Sequence, residues 1–351
     1  MRIANVYGLK YASPKTAEST VLYHLKRNGI ARRDAADHVR KVSPAMVEEW
    51  TSRYENGESL KQIAGGNVDA VTVWNHLKAR GVILRDRVEA QIKAVSKYER
   101  RPFRGDEAEK AYMLGLRFGD LNVVRHGRAV RVRVSTTHLA MAQLFESLFI
   151  PYGHVFRYAR RARLTGYEWS LECDLDPTFG FLVQKTTYLE LKELPTSQFI
   201  EFVAGLFDAE GTIYLHRKES GFIFEVSISN TETGLIGILD ERIKAMGYHP
   251  RREMRTQDES RLGYLKSGEI SFLRLSRQSE VCRFLASLPL RHREKTAKAR
   301  FVIERVCNDS FGVGQDELLD WESLVASVKE ERNKFVLQAG VSFRSLHPPK
   351  I

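Results

Sequence analysis

Two acidic residues stand at the ends of two similar apolar segments, where their position suits metal binding. Asp120 ends the segment Ala111–Asp120, and Glu210 holds the equivalent place in Phe202–Gly211, which aligns with the first at an offset of 90 residues. A carboxylate at a helix C-terminus opposes the helix dipole by about 0.3–1 kcal/mol, and two such groups side by side also repel each other. A divalent cation relieves both effects, and ligands that are all oxygen suit magnesium. The pattern therefore predicts a magnesium site.

The two segments are predicted to be helices that pack closely together. Small residues recur four positions apart, at Gly115 and Gly119 in one segment and at Gly205 and Ala209 in the other. They share one helix face, which lets two backbones approach. Glycine costs about 0.8–1 kcal/mol relative to alanine inside a helix. Its repeated use therefore favours a packing role over two ordinary core helices with solvated acids, and parallel pairing would bring both acids to one end.

The residues that follow each acid repeat one order of elements. An alternating hairpin comes first, and a helix follows it at His138–Ile150 in one copy and at Thr233–Gly247 in the other. Further strands are predicted at His154–Arg163, Tyr167–Cys173, Arg251–Thr256 and Glu269–Leu275. Further helices are predicted at Asp176–Lys185 and Arg277–Ser287. The unit helix, two strands, helix, two strands, helix therefore occurs twice, which predicts an α+β fold of two related repeats.

The predicted strands have one apolar and one polar face. Val130, Val132 and Val134 alternate with polar residues in the first copy, as Phe224 and Val226 do in the second. The apolar face is expected to pack on the helices, while the polar face fits a duplex backbone and guanine edges. The arginines assigned to this open face are Arg131, Arg133, Arg157 and Arg163.

Charge is unevenly distributed along the 351 residues. The net charge is +11, from 55 Lys and Arg against 44 Asp and Glu, and residues 1–105 alone carry +9. The rest of the chain is therefore nearly neutral. A basic segment of this kind is compatible with a polyanionic partner, and Arg100–Gly105, which contains proline and glycine, is a candidate linker.

The basic segment contains an internal repeat. Ser19–Asp34 and Val71–Asp86 superpose at an offset of 52 residues. In the second copy Ser59 begins a short helix, Gly65 provides a turn, and a further helix carries Val73 inward. This order resembles the helix-turn-helix of resolvase and invertase DNA-binding domains; the alternative is a small helical bundle for protein contacts. The residues of the second helix expected to face DNA include Trp74, Asn75 and Lys78.

Several other classes of protein are disfavoured. The chain has no run of about 18 apolar residues that would predict a membrane span, and its first residues lack the apolar stretch of a signal peptide. Three cysteines are too few for a disulfide framework or a cysteine zinc site. Neither a Ser-His-Asp set nor a P-loop is visible, which disfavours acyl transfer and ATP use. A cytoplasmic location is therefore expected.

The two acid-tipped segments resemble the motifs of the LAGLIDADG homing endonucleases, in the monomeric form that carries two motif copies. Val203–Gly211 is close to the family consensus, whereas Met113–Leu121 departs from it at Arg117 and Leu121. The resemblance covers about residues 106–305. It implies a pseudo-symmetric saddle of two antiparallel sheets that straddles double-stranded DNA. It also implies two or more Mg²⁺ ions and cleavage of both strands of a long asymmetric target by an intron-encoded monomer.

The resemblance also assigns roles to residues of this sequence. Asp120 and Glu210 are the implied metal-binding acids, and the polar residue that orders active-site water falls at Asn230 in one repeat and at Thr136 in the other. The implied basic residue near the transition state is Arg293 or Lys295 in one repeat and Lys185 or Lys192 in the other. The implied base-reading positions are Val124, His126, Arg128, Arg131, Arg133, Tyr214, His216, Lys218, Glu225 and Ser227.

Two other functions stay open. An intron maturase, alone or as part of a bifunctional protein, would use the same fold to bind intron RNA. A regulator would have kept the fold and lost cleavage. The presence of both acids favours cleavage over either, since binding alone gains nothing from carboxylates aimed at phosphates.

The chain is predicted to contain four parts. They are a helix-turn-helix region at 1–105, repeats at 106–195 and 196–310, and a C-terminal extension at 311–351. Within the extension, one or two amphipathic helices are predicted over Gln315–Leu337 and a loose tail over Ser342–Ile351.

Overall fold

Helices α1 to α4 belong to the first of the two units into which the chain divides, Met1–Lys97 and Tyr98–Ile351. The computed structural model describes residues 14–30, 42–86, 98–162, 166–184, 187–218, 221–257, 268–306 and 314–346. The four helices are α1 (Pro14–Arg27), α2 (Pro44–Glu55), α3 (Leu60–Ala64) and α4 (Ala70–Ala79). Across the described ranges of the whole chain, no helix has both the length and the apolar character needed to cross a membrane.

Capping residues begin three helices of this unit, and the helix start predicted at Ser59 is confirmed. Ser43 accepts a hydrogen bond from a backbone amide of α2, Ser59 and Gln62 form a reciprocal capping box for α3, and the Asp69 side chain caps α4. Such caps satisfy amides that have no partner within the helix. Gly65 turns the chain after α3 at φ +54°. Helices α2 to α4 then share one core, formed by Trp50, Tyr54, Ile63, Ala64, Val73 and Leu77.

The second unit contains two copies of one order of elements. The first copy comprises α5 (Glu107–Phe118), β1 (Asn122–His126), β2 (Ala129–Thr136), α6 (Leu139–Phe149), β3 (Val155–Ala162), β4 (Gly166–Leu175), a 3₁₀ helix (Pro177–Leu182) and α7 (Tyr188–Glu193). The second comprises α8 (Thr196–Glu210), β5 (Gly211–Lys218), β6 (Gly221–Asn230), α9 (Thr233–Ala245), β7 (Arg251–Gln257), β8 (Gly268–Leu275), α10 (Gln278–Ser287), α11 (Arg293–Phe301) and a π-helical turn (Val302–Val306). Helix α12 (Gln315–Leu346) follows. The predicted α+β fold of two repeats is confirmed.

Each copy folds its four strands into an antiparallel sheet. The strand orders are β1-β2-β4-β3 and β5-β6-β8-β7, so the two sheets have the same topology. Val130, Val132 and Val134 are buried on one face of the first sheet, and Phe224 and Val226 are buried in the second, as strand parity predicts. These side chains share one hydrophobic core with the helices of the unit.

The two motif helices, α5 and α8, are in backbone contact. A Cβ atom added to Gly115 would lie 2.1 Å from the carbonyl oxygen of Phe202, and one added to Gly205 would lie 2.0 Å from a carbonyl oxygen of α5. No side chain fits at such distances, so glycine is required at both positions. Further along, a Cβ on Gly119 would lie 2.3 Å from Ala209 Cβ. Because the contacts advance in the same direction along both chains, the helices run parallel.

The segment predicted as a helix over Asp176–Lys185 is instead a short 3₁₀ helix, Pro177–Leu182. Asp176 caps it by accepting a hydrogen bond from a backbone amide at 2.9 Å. Phe179 and Leu182 are both fully buried. Residues three apart lie directly above one another only in a 3₁₀ helix, so burial of this pair favours the tighter form.

One long helix covers the predicted helical region Gln315–Leu337 and continues into the start of the predicted tail, of which residues 347–351 lie outside the described part of the chain. Helix α12 continues through Leu346, because apolar contacts hold it along its length. Trp321 packs against Phe224 of the second repeat with ring centroids 4.8 Å apart, and Phe335 packs against Trp169 of the first repeat at 5.8 Å. Helix α12 therefore contacts both repeats.

Replacing Gly205 with alanine should destabilise the second unit. The added methyl group would displace the backbone of α5, and overpacking of this kind costs about 1–3 kcal/mol, occasionally more. We expect the free energy of unfolding in urea to fall by about 3 kcal/mol. Gly180→Ala is the control, since a Cβ at Gly180 meets nothing within 4 Å. Equal losses in the two variants would contradict the close packing of α5 on α8.

Candidate active site

Asp120 and Glu210 lie close together at the C-terminal ends of the motif helices. Glu210 is the last residue of α8, whereas α5 ends at Phe118, and Asp120 follows the C-cap residue Gly119. Glu210 Oε1 lies 3.5 Å from the position that a Cβ on Gly119 would take, so it sits beside the residue that precedes Asp120. Asp120 is exposed and Glu210 is half-buried. The acids therefore form one pair that solvent reaches.

Both carboxyl groups of this pair hold a proton more readily than free acids do. Desolvation by the surrounding protein raises the pKa of Asp120, even though one side of the residue is open to solvent. Desolvation and then the charge of Asp120 raise the pKa of Glu210 to about 7. The charge of Lys295 opposes both shifts. The pair thus carries electrostatic repulsion that a bound cation would relieve.

Lys295 ties the end of α8 to α11. Its Nζ donates hydrogen bonds to the carbonyl oxygens of Phe207, Asp208 and Ala209 at 2.7, 2.8 and 2.9 Å. Carbonyl groups in the last turn of a helix have no partner within the helix, and a cation there also suits the helix dipole. Burial lowers the pKa of Lys295 to about 8, and nearby carboxylates oppose that shift. Lys295 therefore lies beside the acid pair with all three ammonium protons in use.

Asp208 is a site residue that the sequence pattern did not single out. It is fully buried, and its Oδ2 accepts hydrogen bonds from the Tyr112 hydroxyl at 2.6 Å and from the amides of Arg291 and His292 at 2.7 and 3.0 Å. Burial raises its pKa, and these hydrogen bonds oppose the shift. Because the two amides directly precede α11, Asp208 fixes the start of that helix. The sequence feature that could have identified Asp208 is a second acid two positions before Glu210, within an apolar helix.

Asn230 contacts the end of the other motif helix. Its Nδ2 donates a hydrogen bond to the carbonyl oxygen of Phe118 at 2.9 Å, and its Oδ1 accepts one from the amide of Glu232 at 2.8 Å. Thr136, the counterpart in the first repeat, has a shorter side chain whose hydroxyl accepts a hydrogen bond from the amide of His138 at 2.9 Å. The two repeats are therefore unlike at this position.

The other basic candidates have partners elsewhere or cannot be placed. Arg293 pairs with Glu331 of α12. Lys192 forms an exposed pair with Glu241 at 2.7 Å. Lys185 lies outside the described residues. Of the three basic candidates within the described residues, Lys295 is the one that lies at the acid pair.

The face of the first sheet that lies opposite the helices carries arginines paired with acids. Arg131 makes two hydrogen bonds to Asp174, at 2.6 and 2.8 Å, and Arg133 lies 3.2 Å from Glu172. Each pair is directly aligned across β2 and β4. The face is therefore a set of cross-strand ion pairs, rather than the bare basic surface that strand parity predicts.

Three further predicted positions lie close to these pairs. Val124 is aligned with Arg131 across β1 and β2 and is 39% exposed. His126 Nδ1 lies 3.5 Å from Asp174. Arg128 is in the turn between the two strands and is exposed. All three therefore border the outer face of the first sheet.

Arg157 lies on the opposite face, so its predicted place on the polar face is wrong. It is aligned with Leu171, whose side chain is fully buried in the core. Its guanidinium stacks over the Trp169 ring at 4.4 Å and lies 3.6 Å from Glu146 of α6. The register between β3 and β4 sets this direction, and it cannot be read from β3 alone.

Two aromatic residues of β3 take the outward position instead. Phe156 and Tyr158 alternate with Arg157 and are aligned with Glu172 and Ser170 of β4. They are 40% and 41% exposed. Apolar side chains on such a face suit contact with thymine methyl groups. Arg163 falls outside the described residues.

The outer face of the second sheet is also paired internally. Glu225 is buried, and its carboxylate accepts a hydrogen bond from Arg274 at 2.7 Å. Arg274 also lies 3.3 Å from Glu253 of β7. Ser227 is buried as well. Glu225 and Ser227 are predicted to be exposed base-reading positions, but both are buried, because residues of the neighbouring strands pack around them.

Two of the remaining positions in the second sheet do lie at its outer surface. Tyr214 is aligned with Glu225 and is 42% exposed. His216 Nε2 lies 3.5 Å from the same carboxylate. The side chain of Lys218 lies outside the described part of the chain.

In the first unit, the predicted contact residues share one exposed face of α4. Trp74, Asn75 and Lys78 are exposed, while Val73 and Leu77 on the other side are buried. Lys78 Nζ lies 4.6 Å from the centre of the Trp74 ring. The face thus combines an aromatic surface, an amide and a cation, the groups that contact bases and phosphates.

The acid pair fits a hard divalent cation. No cluster of three or more His, Cys, Asp and Glu side chains occurs within the described ranges. The protein would therefore supply the carboxylates of Asp120 and Glu210, with backbone carbonyls, water and substrate phosphate completing the shell. Magnesium is commonly held by one or two carboxylates together with water and phosphate oxygens, so the donor set suits it.

Two αββαββα repeats joined by paired, acid-tipped helices define a two-repeat α+β protein with one shared acidic site. Residues 197–289 match the family described as a LAGLIDADG-like domain. The matched segment includes most of α8, strands β5 to β8 and α10. The match lies within the second repeat, and the predicted resemblance is confirmed for that segment. No protein of curated function matches the chain.

Solved structures of homing endonucleases are also similar to the chain. Mesophilic variants of I-DmoI share 19% identity over 52% of this chain and 95% of theirs, with a TM-score of 0.35. A mutant of I-SmaMI shares 10% identity over 62% of this chain and 98% of its own, with a TM-score of 0.39. I-WcaI bound to its DNA recognition sequence shares 12% identity over 52% and 81%, at 0.37.

The raised pKa of Glu210 predicts how stability depends on pH. Without metal, the folded protein binds a proton at Glu210 up to a pH of about 7, whereas the unfolded chain releases it near 4.5. The stability contributed by that proton is present below pH 4.5 and is lost as the pH rises to about 7. Glu210→Gln should therefore be more stable than wild type by about 1–2 kcal/mol at pH 8 in EDTA, after discounting for solvent screening.

Urea unfolding at pH 8 and at pH 4 measures this difference. The two proteins should be nearly equal at pH 4, where Glu210 is protonated. Glu330→Gln is the control, because Glu330 lies in an exposed pair with Lys334 of α12. A Glu210→Gln variant that is less stable than wild type at pH 8 would contradict repulsion between the acids.

Proposed function

We propose that this chain is a site-specific DNA endonuclease that hydrolyses both strands of a long asymmetric target. The observation that carries the proposal is the acid pair, Asp120 and Glu210, at one end of two parallel helices. Each acid comes from a different repeat, and the two strands of a duplex are likewise related by a local twofold axis. One chain supplies both halves of the site, so the protein is proposed to act as a monomer.

Metal binding at the acid pair is the chemical basis of the proposal. Mg²⁺ bound by Asp120 and Glu210 would activate water and neutralise charge on the phosphate. The chain's own contribution is to hold the carboxylates in place. Lys295 holds the end of α8, next to Glu210, and Asn230 holds the end of α5, close to Asp120. Such supporting contacts keep a metal site within its narrow geometric tolerance.

The outer faces of the sheets are proposed to bind the duplex. Arg131 and Arg274 are already held by acids on neighbouring strands. An arginine fixed in this way loses little conformational freedom on binding, and arginine is the side chain that best reads guanine. Carboxylates between the arginines also repel phosphates that approach in other registers. The paired faces therefore favour specificity over general affinity for DNA.

The first unit is proposed to add affinity through phosphate contacts. Residues 1–105, which comprise this unit and the following residues 98–105, carry a net charge of +9. Helix α4 exposes Trp74, Asn75 and Lys78 on one face. Charge of this kind binds DNA with little regard to sequence and makes affinity fall steeply with salt. Holding the DNA and cutting it are thus proposed to belong to different units.

Asp120→Asn should abolish cleavage without unfolding the protein. The test substrate is linear DNA that carries the uninterrupted host locus, incubated with and without Mg²⁺. The variant loses a metal ligand, and we expect its cleavage rate to fall by about a thousandfold or more, since several kcal/mol of charge stabilisation is lost. The rate is measured from the fragments on a gel.

The matched control is again Glu330→Gln, which removes an acid from an exposed pair and should cut at the wild-type rate. The endonuclease proposal fails if the wild type leaves the host locus intact in Mg²⁺, or if Asp120→Asn cuts as fast as wild type. Binding of intron RNA instead of DNA by the intact protein would favour the maturase.

Lys78→Ala should weaken DNA binding by a similar factor for every sequence. Loss of one phosphate contact lowers the slope of log affinity against log salt by about 1. Fluorescence anisotropy with a target duplex and a scrambled duplex, over a range of salt concentrations, measures this slope. Lys329→Ala on α12 is the control, and an unchanged slope for Lys78→Ala would argue against phosphate contact at α4.

A further inference from the structure

A histidine–carboxylate pair lies near the acid pair and has no role in the proposed metal site. His138 is the N-cap residue of α6, and its Nδ1 lies 3.1 and 3.0 Å from the two carboxylate oxygens of Glu294. Glu294 is in the first turn of α11 and is buried, whereas the His138 side chain is 36% exposed. The ring is therefore anchored at one edge and open to solvent.

The surrounding contacts place this pair at the Asp120 side of the site. Glu294 directly precedes Lys295, whose Nζ binds the last turn of α8 beside Glu210. The charge of His138 also acts on Asp120 and lowers its pKa, against the effect of desolvation. His138 therefore lies within electrostatic range of Asp120.

Glu294 decides which ring nitrogen carries the proton. Burial acts to raise the pKa of Glu294, but the hydrogen bond and charge of His138, together with the charges of His292 and Lys298, lower it. An ionised carboxylate only accepts hydrogen bonds, so Nδ1 is the donor. In the neutral ring Nε2 then has a free lone pair, and no residue in the described ranges donates a hydrogen bond to it.

We propose that His138 is a catalytic residue for one of the two strand cleavages, with Glu294 as its positioning residue. This inference rests on the proposed endonuclease function. As the oxygen of a water molecule bonds to phosphorus, neutral Nε2 takes one of its protons. One P–O ester bond breaks, and the departing oxygen receives a proton from solvent. The imidazolium that forms is stabilised by Glu294 and later returns its proton to solvent.

The other half of the site has no corresponding histidine. The residue two positions after Asn230, equivalent to His138 after Thr136, is Glu232. Its carboxylate accepts a hydrogen bond from the Tyr188 hydroxyl at 3.2 Å. The two strands are therefore expected to depend on different groups, and only one of them on His138.

Strand-resolved cleavage tests this inference. A supercoiled plasmid that carries the host locus is cut with Mg²⁺, and each strand is labelled separately. His138→Gln should slow cleavage of one strand about 100-fold or more, the usual contribution of a general base, and should leave the other strand within about threefold. Nicked plasmid should then accumulate. Added imidazole should restore cleavage of the slow strand by His138→Ala.

The pH profile of the slow strand is a second measurement. In the wild type its rate should rise with pH and then reach a plateau, because a general base must be neutral to accept a proton. In His138→Gln the rise should be smaller, since only the acids then need to lose protons. The ionisable groups around His138 are Glu294, which its ring contacts, and Asp120 and His292, on which its charge acts. Arg332 of α12 contacts the neighbouring residue Thr137. Glu294→Gln should shift the profile and slow the same strand.

A second histidine pair provides the control. His249 Nδ1 lies 2.8 Å from Glu280 of α10, the same kind of pair outside the acid site. His249→Gln should cut both strands at the wild-type rate. If His138→Gln slows both strands equally, or neither, the inference is overturned while the endonuclease proposal stands. A wild type that cuts neither strand overturns both.

The ring can also be examined without DNA. Nitrogen NMR of the histidine rings should show His138 protonated at Nδ1 when neutral, and Glu294→Gln should change that distribution. A neutral ring protonated at Nε2 in the wild type would overturn the inference, whatever the plasmid assay shows.

Discussion

The close contact between the two motif helices is the constraint on which the other features depend. At Gly115 and Gly205 the backbones approach so closely that no larger residue fits. Because the helices run parallel, the residues at their C-terminal ends must lie close together, and these are Asp120 and Glu210. The sheets continue from the same helices, with β5 beginning directly after Glu210 and β1 two residues after Asp120. One interface therefore sets both the spacing of the acids and the placement of the sheets.

Bringing acids to the C-terminal ends of parallel helices is electrostatically unfavourable, and buried polar contacts offset much of this cost. Lys295 donates to three carbonyl groups at the end of α8, and Asn230 donates to one at the end of α5. Asp208 holds the start of the helix that carries Lys295. The two acids still repel each other, and their pKa values are raised. A divalent cation is the partner that would remove it.

Local patterns predict most of the fold and the acid pair, because a helix cap, an alternating strand or a pair of small residues depends on neighbours in sequence. They fail where residues that are distant in the sequence determine the direction or burial of a side chain. Arg157 is assigned to the polar face with the other arginines, but its register against Leu171 of β4 places it on the inner face. The Glu225 carboxylate is hydrogen-bonded to Arg274, which lies 49 positions away in the sequence. Lys295 and Arg293 are equal candidates by sequence, and only the packing of α11 on α8 brings Lys295 to the site. Helix α12 extends beyond its predicted end for the same kind of reason, since its contacts lie on other elements.

The central claim is that Asp120 and Glu210 act together as one cation site. The most direct test is anomalous X-ray scattering from crystals of the full chain soaked in Mn²⁺, which replaces Mg²⁺ at oxygen sites. We expect anomalous density between the two carboxylates, with oxygen ligands from both, and no such density in Asp120→Asn. Ordered Mn²⁺ bound elsewhere, with the two carboxylates turned away from each other, would contradict this claim.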